Sequence, residues 1–222
     1  MKTLLIYMCL VFTLTSCAGY RVRKVENPFK IYGVESLAVP MFINRSAFPL
    51  VAGQMTQEIR LMLNQFPDLK LLSGEGGDRA DAVLVGIIDS PKSLRDAIKT
   101  TGTTFTTGDL KESIGDRPAF NLPTRGEIRL SVTYVLIKRP SQEDLELLES
   151  EMRPYLINHP KVLFTEVMSL DSSFSRAIES NLGPDDGGVV NATRNKKLIE
   201  LKIKQMAQSA SLQFERVVLN AF

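Results

Sequence analysis

Apolar and polar residues repeat with two different periods along this chain, and the longer period predicts three helices. Between residues 50 and 66 apolar side chains recur every three or four positions, which places them on one face of a helix that Pro67 ends. The same spacing from Thr193 to about Leu219 predicts the longest helix. Ser141 is the predicted N-cap of a further helix with an acidic first turn, extending to about Asn158.

Strands are predicted where apolar residues alternate with polar ones or follow one another without interruption. Residues 80–89 are almost continuously apolar, which is typical of a buried central strand, and Asp81 at its start is interpreted as a side chain that satisfies nearby backbone groups. Residues 126–138 alternate, so one face of that strand lies on a core. Shorter strands are predicted at 36–42, 69–72 and 161–170. The chain is therefore predicted to be α+β, a two-layer sandwich of two main helices on one face of a mostly antiparallel sheet of four strands or slightly more.

The first residues have the three regions of an export signal. A single positive charge at Lys2 precedes an apolar run from Leu4 to Leu14, which is shorter than the ~20 residues that a membrane-spanning helix needs. Leu14-Thr15-Ser16-Cys17 resembles the bacterial lipobox, which implies cleavage before Cys17 and diacylglycerol and N-acyl chains on that residue. The alternative is an ordinary signal peptide that happens to contain cysteines. With Cys9 removed and Cys17 acylated, the mature chain has no thiol for a disulfide, a metal or catalysis.

The chain divides into three predicted parts. Residues 1–16 are the signal, residues 17–35 a lipidated tether, and residues 36–222 a single domain with possible insertions at 90–125 and 139–160. The first of these insertions holds a threonine-rich patch, Thr100–Thr107, which either extends a hairpin or is mobile. A net charge of +2 gives no basic field of the kind that nucleic-acid partners require.

Residues that could carry catalysis are sparse, so the chain is expected to bind rather than to catalyse. His159 is the single histidine, and without a second histidine or a free cysteine a zinc site would need carboxylates alone. The glycines at 74–77 lack the lysine and hydroxyl residue of a phosphate-binding loop, and Asp185-Asp186-Gly187 lacks the alternating ligands of a calcium loop. No enzyme activity and no cofactor other than the covalent lipid on Cys17 are expected.

Three segments together resemble the lipopolysaccharide-assembly lipoprotein family LptE. Cys17-Ala18-Gly19-Tyr20 is similar to the family's start, residues 37–45 to its first strand and Asn-Arg turn, and residues 80–88 to its Ala-Asp-Ala strand. The resemblance implies an outer-membrane lipoprotein on the periplasmic side that plugs and helps assemble an LptD-like β-barrel and assists lipopolysaccharide delivery to the outer leaflet. Ala18 after the cysteine fits the sorting rule for the outer membrane.

Lipopolysaccharide is anionic, so contact with it is expected to use cationic side chains. Arg125, Arg129 and Lys138, on or beside the strand at 126–138, are the candidates, and ordinary surface charge is the alternative for each. Two other functions stay open. The first alternative is a lipoprotein subunit of another envelope assembly or secretion complex. The second alternative is a membrane-anchored hydrolase.

Overall fold

The computed structural model describes residues 26–73, 79–91, 97–104, 122–149, 158–176, 178–179, 189–190 and 192–219. The predicted signal at 1–16 and Cys17, the predicted lipidation site, lie outside these residues. Three α-helices lie within them: α1 (Val51–Leu63), α2 (Gln142–Glu149) and α3 (Ala192–Phe214), the last continued by a π-helical turn at Glu215–Leu219. A 3-10 helix at Pro28–Tyr32 precedes the first strand.

Seven strands form the main sheet, and two short ones pair separately. The main sheet holds β1 (Ser36–Val39), β2 (Ile43–Asn44), β3 (Lys70–Ser73), β4 (Ala82–Asp89), β5 (Ile98–Thr104), β6 (Leu122–Lys138) and β7 (Val162–Ser175). The separate pair is β8 (Ile178–Glu179) with β9 (Val189–Val190). The predicted α+β sandwich is confirmed, with a sheet that is larger than four strands.

The long strand β6 organises the sheet. β4 and β5 follow one another along one of its edges and β7 lies along the other, all antiparallel to it. β1 and β2 likewise follow one another along the far edge of β4, and these pairings and that of β1 with β3 are parallel. The antiparallel ladder makes up most of the sheet, as predicted, and the parallel part is confined to the side of β4 away from β6.

Helices α1 and α3 cover one face of the sheet and enclose the main core. The residues of β6 that were predicted to face the core are all buried there: Ile128, Leu130, Val132, Tyr134 and Leu136. The Tyr134 ring lies edge-on to Phe214 of α3 at 4.7 Å between centroids and to Phe42 at 5.9 Å. Burial among these rings raises the pKa of the Tyr134 phenol and keeps it neutral.

The opposite face of the sheet is divided between an apolar half and a polar half. A second apolar cluster covers the half formed by β4 and the end of β6, and it contains Val83, Val85, Ile87, Val135 and Ile137. Leu145 of α2 packs against this cluster, so α2 lies on the face of the sheet away from α1 and α3. The alternation at 126–138 predicted the polar half, whereas the burial of the apolar half depends on residues from other elements.

The domain begins earlier than predicted. Phe29 and Val34, which the sequence assigned to the tether at 17–35, are fully buried, and the Phe29 ring stacks on that of Phe164 at 6.3 Å. The Asn27 side chain accepts a hydrogen bond from the Phe29 N–H at 2.9 Å and donates one to the Val34 carbonyl at 2.7 Å. Residues 27–35 therefore belong to the domain, because the Phe29 side chain is part of its core.

β5 and β7 both pair with the long strand β6 and cover residues outside the predicted strands. Part of the threonine-rich patch, residues 100–104, pairs with the start of β6 and so extends a hairpin. The remainder of the patch lies outside the described residues. β7 runs on to Ser175 rather than ending at 170, since its register with β6 continues to Arg125. The predicted insertion at 90–125 is therefore in part an integral strand of the sheet.

The start of α2 carries a charged cap whose contribution to stability depends on pH. The Ser141 N–H donates to Asp144 Oδ2 at 2.7 Å, and the Asp144 N–H donates to Ser141 Oγ at 3.2 Å, which is a capping box closed by an aspartate. Lys161 Nζ lies 2.7 Å from the same Oδ2. The Lys161 hydrogen bond and the Ser141 backbone hydrogen bond lower the pKa of Asp144 to about 2.

Asp144→Asn is expected to lower the free energy of unfolding at pH 7 by about 1–2 kcal/mol. Because the folded-state pKa lies below the unfolded value, the stabilisation by Asp144 is present above pH ~4 and is lost as the pH falls towards 2. The difference between the urea midpoints of wild type and variant should therefore be similar at pH 7 and pH 5 and smaller at pH 3. Glu143→Gln, at an exposed position in the same first turn, is the control and should change little. A pH-independent difference would contradict this role.

Candidate functional site

The three cations selected from the sequence lie at two distant places. Arg125 and Arg129 project from the outward face of β6, the one away from α1 and α3, and lie four residues apart. Lys138 ends the same strand on the other face, and its Nζ donates to the Tyr32 carbonyl at 2.8 Å. With a rise of about 3.3 Å per residue, Lys138 lies roughly 40 Å from Arg125. The structure brings the two arginines to one surface and does not bring Lys138 to it.

That surface, here called the outer strip, is the polar half of the outward sheet face. Its members come from β6 and β7: Arg125, Glu127, Arg129, Ser131, Ser169, Asp171 and Ser173. They share this face because side chains alternate along a strand, so the odd-numbered positions of both strands point away from α1 and α3. A polar hollow of about 510 Å³ opens beside Arg129 and is bounded by Asp89 and Asp171.

Charges of both signs are interleaved along the outer strip. The Arg129 guanidinium lies 3.5 Å from a Glu127 oxygen and 3.7 Å from an Asp171 oxygen. Arg125 Nη2 donates to Ser173 Oγ at 3.1 Å. The Arg129 side chain is 57% exposed, and ion pairs in such positions contribute about 0–1 kcal/mol. Both guanidinium groups can therefore exchange their present partners for an anion or for a polar protein surface at little cost.

Asp81 has a structural role, as predicted. Its Oδ2 accepts hydrogen bonds from the N–H groups of Glu35 and Ser36, at 3.2 and 3.0 Å, and from the Ser36 hydroxyl at 2.8 Å. The hydrogen bonds from Ser36 hold the pKa of Asp81 below its usual range. The carboxylate thereby attaches the start of β1 to the start of β4, and its hydrogen-bonding capacity is used inside the fold.

The His159 side chain also has a structural role, in the turn before β7. Its Nδ1 accepts the Lys161 N–H at 3.4 Å, just before β7 begins. Across the part of the chain that the structure describes, histidine, cysteine and carboxylate side chains form no group that could hold a metal ion. No helix among the described residues has the length and apolar character needed to cross a membrane.

An apolar cleft lies between the helices, at the sheet end where β4 stops and β6 starts. Its walls come from the loop before α1, the start of β5 and the first turns of α3, with Phe48, Ile98 and Ile199 on its surface. Arg176 and Lys196 add two cations to the lining. The sequence did not predict this site, because four separate segments build it and the residue spacing within each segment does not indicate that they meet.

Comparisons with known proteins give a likeness in structure alone. No protein-family model and no curated protein sequence matches this chain. The rare lipoprotein B of Shewanella oneidensis is 9% identical over 84% of this chain and 95% of that chain, with a TM-score of 0.37. A minor lipoprotein of Acinetobacter baumannii is 10% identical over 84% of this chain and 92% of that chain, with a TM-score of 0.38.

A lipoprotein of Neisseria meningitidis is 12% identical over 78% of this chain and 97% of that chain, with a TM-score of 0.33. These structural neighbours are all bacterial lipoproteins by name. At these identities and TM-scores the likeness carries no argument about function.

Proposed function

We propose that this chain is a lipid-anchored envelope protein of the outer membrane that acts by contact within an LptD-like β-barrel and assists lipopolysaccharide delivery. The Cys17 motif supports the anchor, and the similarity of residues 17–20, 37–45 and 80–88 to the LptE family supports the partner. The proposed role needs no catalytic group, since it consists of filling and stabilising a barrel. Its site is therefore a surface rather than an enclosed pocket.

The outer strip is the observation that carries this proposal. The interior of a wide membrane barrel is polar, so a domain that fills it needs a polar face, and the charges of both signs on the outer strip provide one. β6 and β7 pair from Arg125 to Ile137, which makes the paired strands about 40 Å long, and the half that carries the strip has hydroxyls, two arginines and two carboxylates. A rigid antiparallel ladder holds these groups in fixed positions, as a docking surface requires.

Lipopolysaccharide contact is proposed for the arginines of the same strip. A guanidinium group can bind a phosphate through two parallel hydrogen bonds, and Arg125 and Arg129 are both accessible from one side. Lys138 is the weaker candidate of the three, because its ammonium already donates to the Tyr32 carbonyl at the other end of β6.

Arg129→Ala is expected to weaken lipopolysaccharide binding about tenfold, as the loss of one charge-assisted pair predicts. Binding would be measured with immobilised mature protein and purified lipopolysaccharide. Lys204→Ala, which removes the same charge from an exposed position on α3, is the matched control and should bind like wild type. Equal affinities for all three proteins would remove Arg129 from the proposed contact.

Capture of the mature protein in mild detergent tests the partner. Mass spectrometry of the bound chains should identify an outer-membrane β-barrel of the LptD kind, together with lipopolysaccharide. Recovery of a secretion channel without such a barrel would instead support a subunit of another envelope assembly. Turnover of envelope substrates by the purified protein above background would support the anchored hydrolase and would contradict a role by contact alone.

A further inference from the structure

The apolar cleft between α1 and α3 has the properties of a ligand site. Its cavity volume is about 430 Å³, within the range of small-molecule pockets, and its surface is mainly apolar. Phe48 and Ile203 at its base are buried, whereas Ile98 and Ile199 are partly exposed through the opening. Water in such a cleft contacts few polar partners, so an apolar chain that replaces it gains free energy.

The position of the cleft is fixed by the sheet rather than by its own loop. The Ala47 N–H donates to Ser90 Oγ at 2.9 Å, just after β4, and the Arg176 N–H donates to the Thr124 carbonyl of β6 at 2.8 Å. The loop before α1 and the residue after β7 are thus both attached to strand ends. A site whose walls are attached in this way is preformed, which lowers the entropy lost on binding.

Electrostatics favour an anion at this opening. Arg176 and Lys196 line it, Glu200 is the one carboxylate in the lining, and neither cation forms an ion pair among the described residues. Both α1 and α3 begin at the cleft, and neither helix has an acidic residue in its first turn. The partial positive charges of two helix N-termini therefore add to the two cations. The lining thus offers an apolar wall and two cations.

We propose that the cleft binds an anionic amphiphile with a single acyl chain and a phosphate head group, of the lysophosphatidylglycerol class. The chain lies along Phe48, Ile98 and Ile199, and the phosphate contacts Arg176 and Lys196. The cavity has room for one chain, which distinguishes this ligand from lipids with several chains. The site is separate from the outer strip and stands whether or not the proposed barrel partner is found.

Calorimetric titration tests the site on the full mature-length chain carrying Cys17→Ser, which has no acyl chains of its own and needs no detergent. The probes, kept below their micelle concentrations, are palmitoyl lysophosphatidylglycerol, palmitoyl lysophosphatidylcholine with the same chain and no net charge, and glycerol phosphate without a chain. The anionic lipid should bind about tenfold more tightly than the choline lipid, and glycerol phosphate alone should bind far more weakly than either.

Lys196→Ala should lower the affinity for the anionic lipid about tenfold and leave that for the choline lipid unchanged. Lys197→Ala, on the next position of α3 and outside the cleft, is the matched control and should stay within twofold of the parent. Absence of binding would overturn the proposal. So would equal affinities for both lipids in all variants, or glycerol phosphate binding as tightly as the whole lipid.

Discussion

Gly86→Ala is expected to lower the free energy of unfolding by about 3 kcal/mol, at the upper end of the usual cost of overpacking a core. A Cβ atom at this position of β4 would lie 2.4 Å from Cδ2 of the Phe42 ring, well inside contact distance. Phe42 is only 2% exposed, its ring packs edge-on against Tyr134, and its N–H donates to Thr56 Oγ1 at 3.0 Å. The ring therefore cannot move away without disturbing the core. Urea denaturation measures the change directly.

The chain supplies a matched control for this substitution. Gly53 lies within α1, and a Cβ built there meets no atom within 4 Å. Gly53→Ala should therefore stabilise the protein by about 0.5–1 kcal/mol, because alanine restricts the unfolded chain and favours the helix. Combining Gly86→Ala with Phe42→Leu should lower the free energy of unfolding by less than the sum of the two single changes. A Gly86→Ala variant as stable as wild type would show that Phe42 does not occupy the space above β4.

Cys17→Ser should release the protein from membranes and abolish fatty-acid labelling. Each buried methylene contributes about 0.8 kcal/mol, so one acyl chain holds a protein only marginally while two or three hold it effectively for good. Without the thiol, no diacylglycerol can be attached at this position and the proposed anchor is lost as a whole. Membrane fractionation after metabolic labelling with a tritiated fatty acid measures both effects.

Cys9→Ser provides the comparison, since Cys9 lies within the apolar run that is expected to leave with the signal. Its labelling and fractionation should match those of wild type. Retained label in Cys17→Ser would place the lipid elsewhere on the chain. Loss of label in both variants would point to a general failure of export rather than to the loss of one acylation site.

Local patterns predicted the elements whose environment is uniform along their length. The three- and four-residue spacing of Met55, Ile59 and Met62 predicted α1, and these side chains are buried as that spacing requires. The continuous apolar run at 80–89 predicted β4, which is buried on both faces. In both cases one property repeats along the segment, so the sequence alone contains the information.

Features that depend on a distant partner were predicted poorly. Nothing near Phe29 indicates that Phe164 will stack on it, so residues 27–35 resembled a tether. The threonines of β5 left the extension of a hairpin and a mobile segment both open, and they form a strand because the start of β6 offers an unpaired edge. Gly86 within an apolar strand was a usable signal for close packing, although the sequence could not identify Phe42 as the partner.

The candidate sites divide in the same way. Alternation along β6 placed Arg125 and Arg129 on one outward face, where the structure has them. Lys138 differs in parity from both arginines, and that difference alone places it on the other face. The cleft that holds Arg176 and Lys196 could not be predicted, because it exists only when β5, β7, α1 and α3 have come together.

The mass of the N-terminal peptide, measured on protein purified from membranes, tests the central claim most directly, namely that this domain works while tethered through its first mature residue. The claim predicts a peptide that begins at Cys17 and carries a thioether-linked diacylglycerol with a further acyl chain on its amine. A peptide that retains Met1, or one that begins near Cys17 with an unmodified thiol, would contradict it.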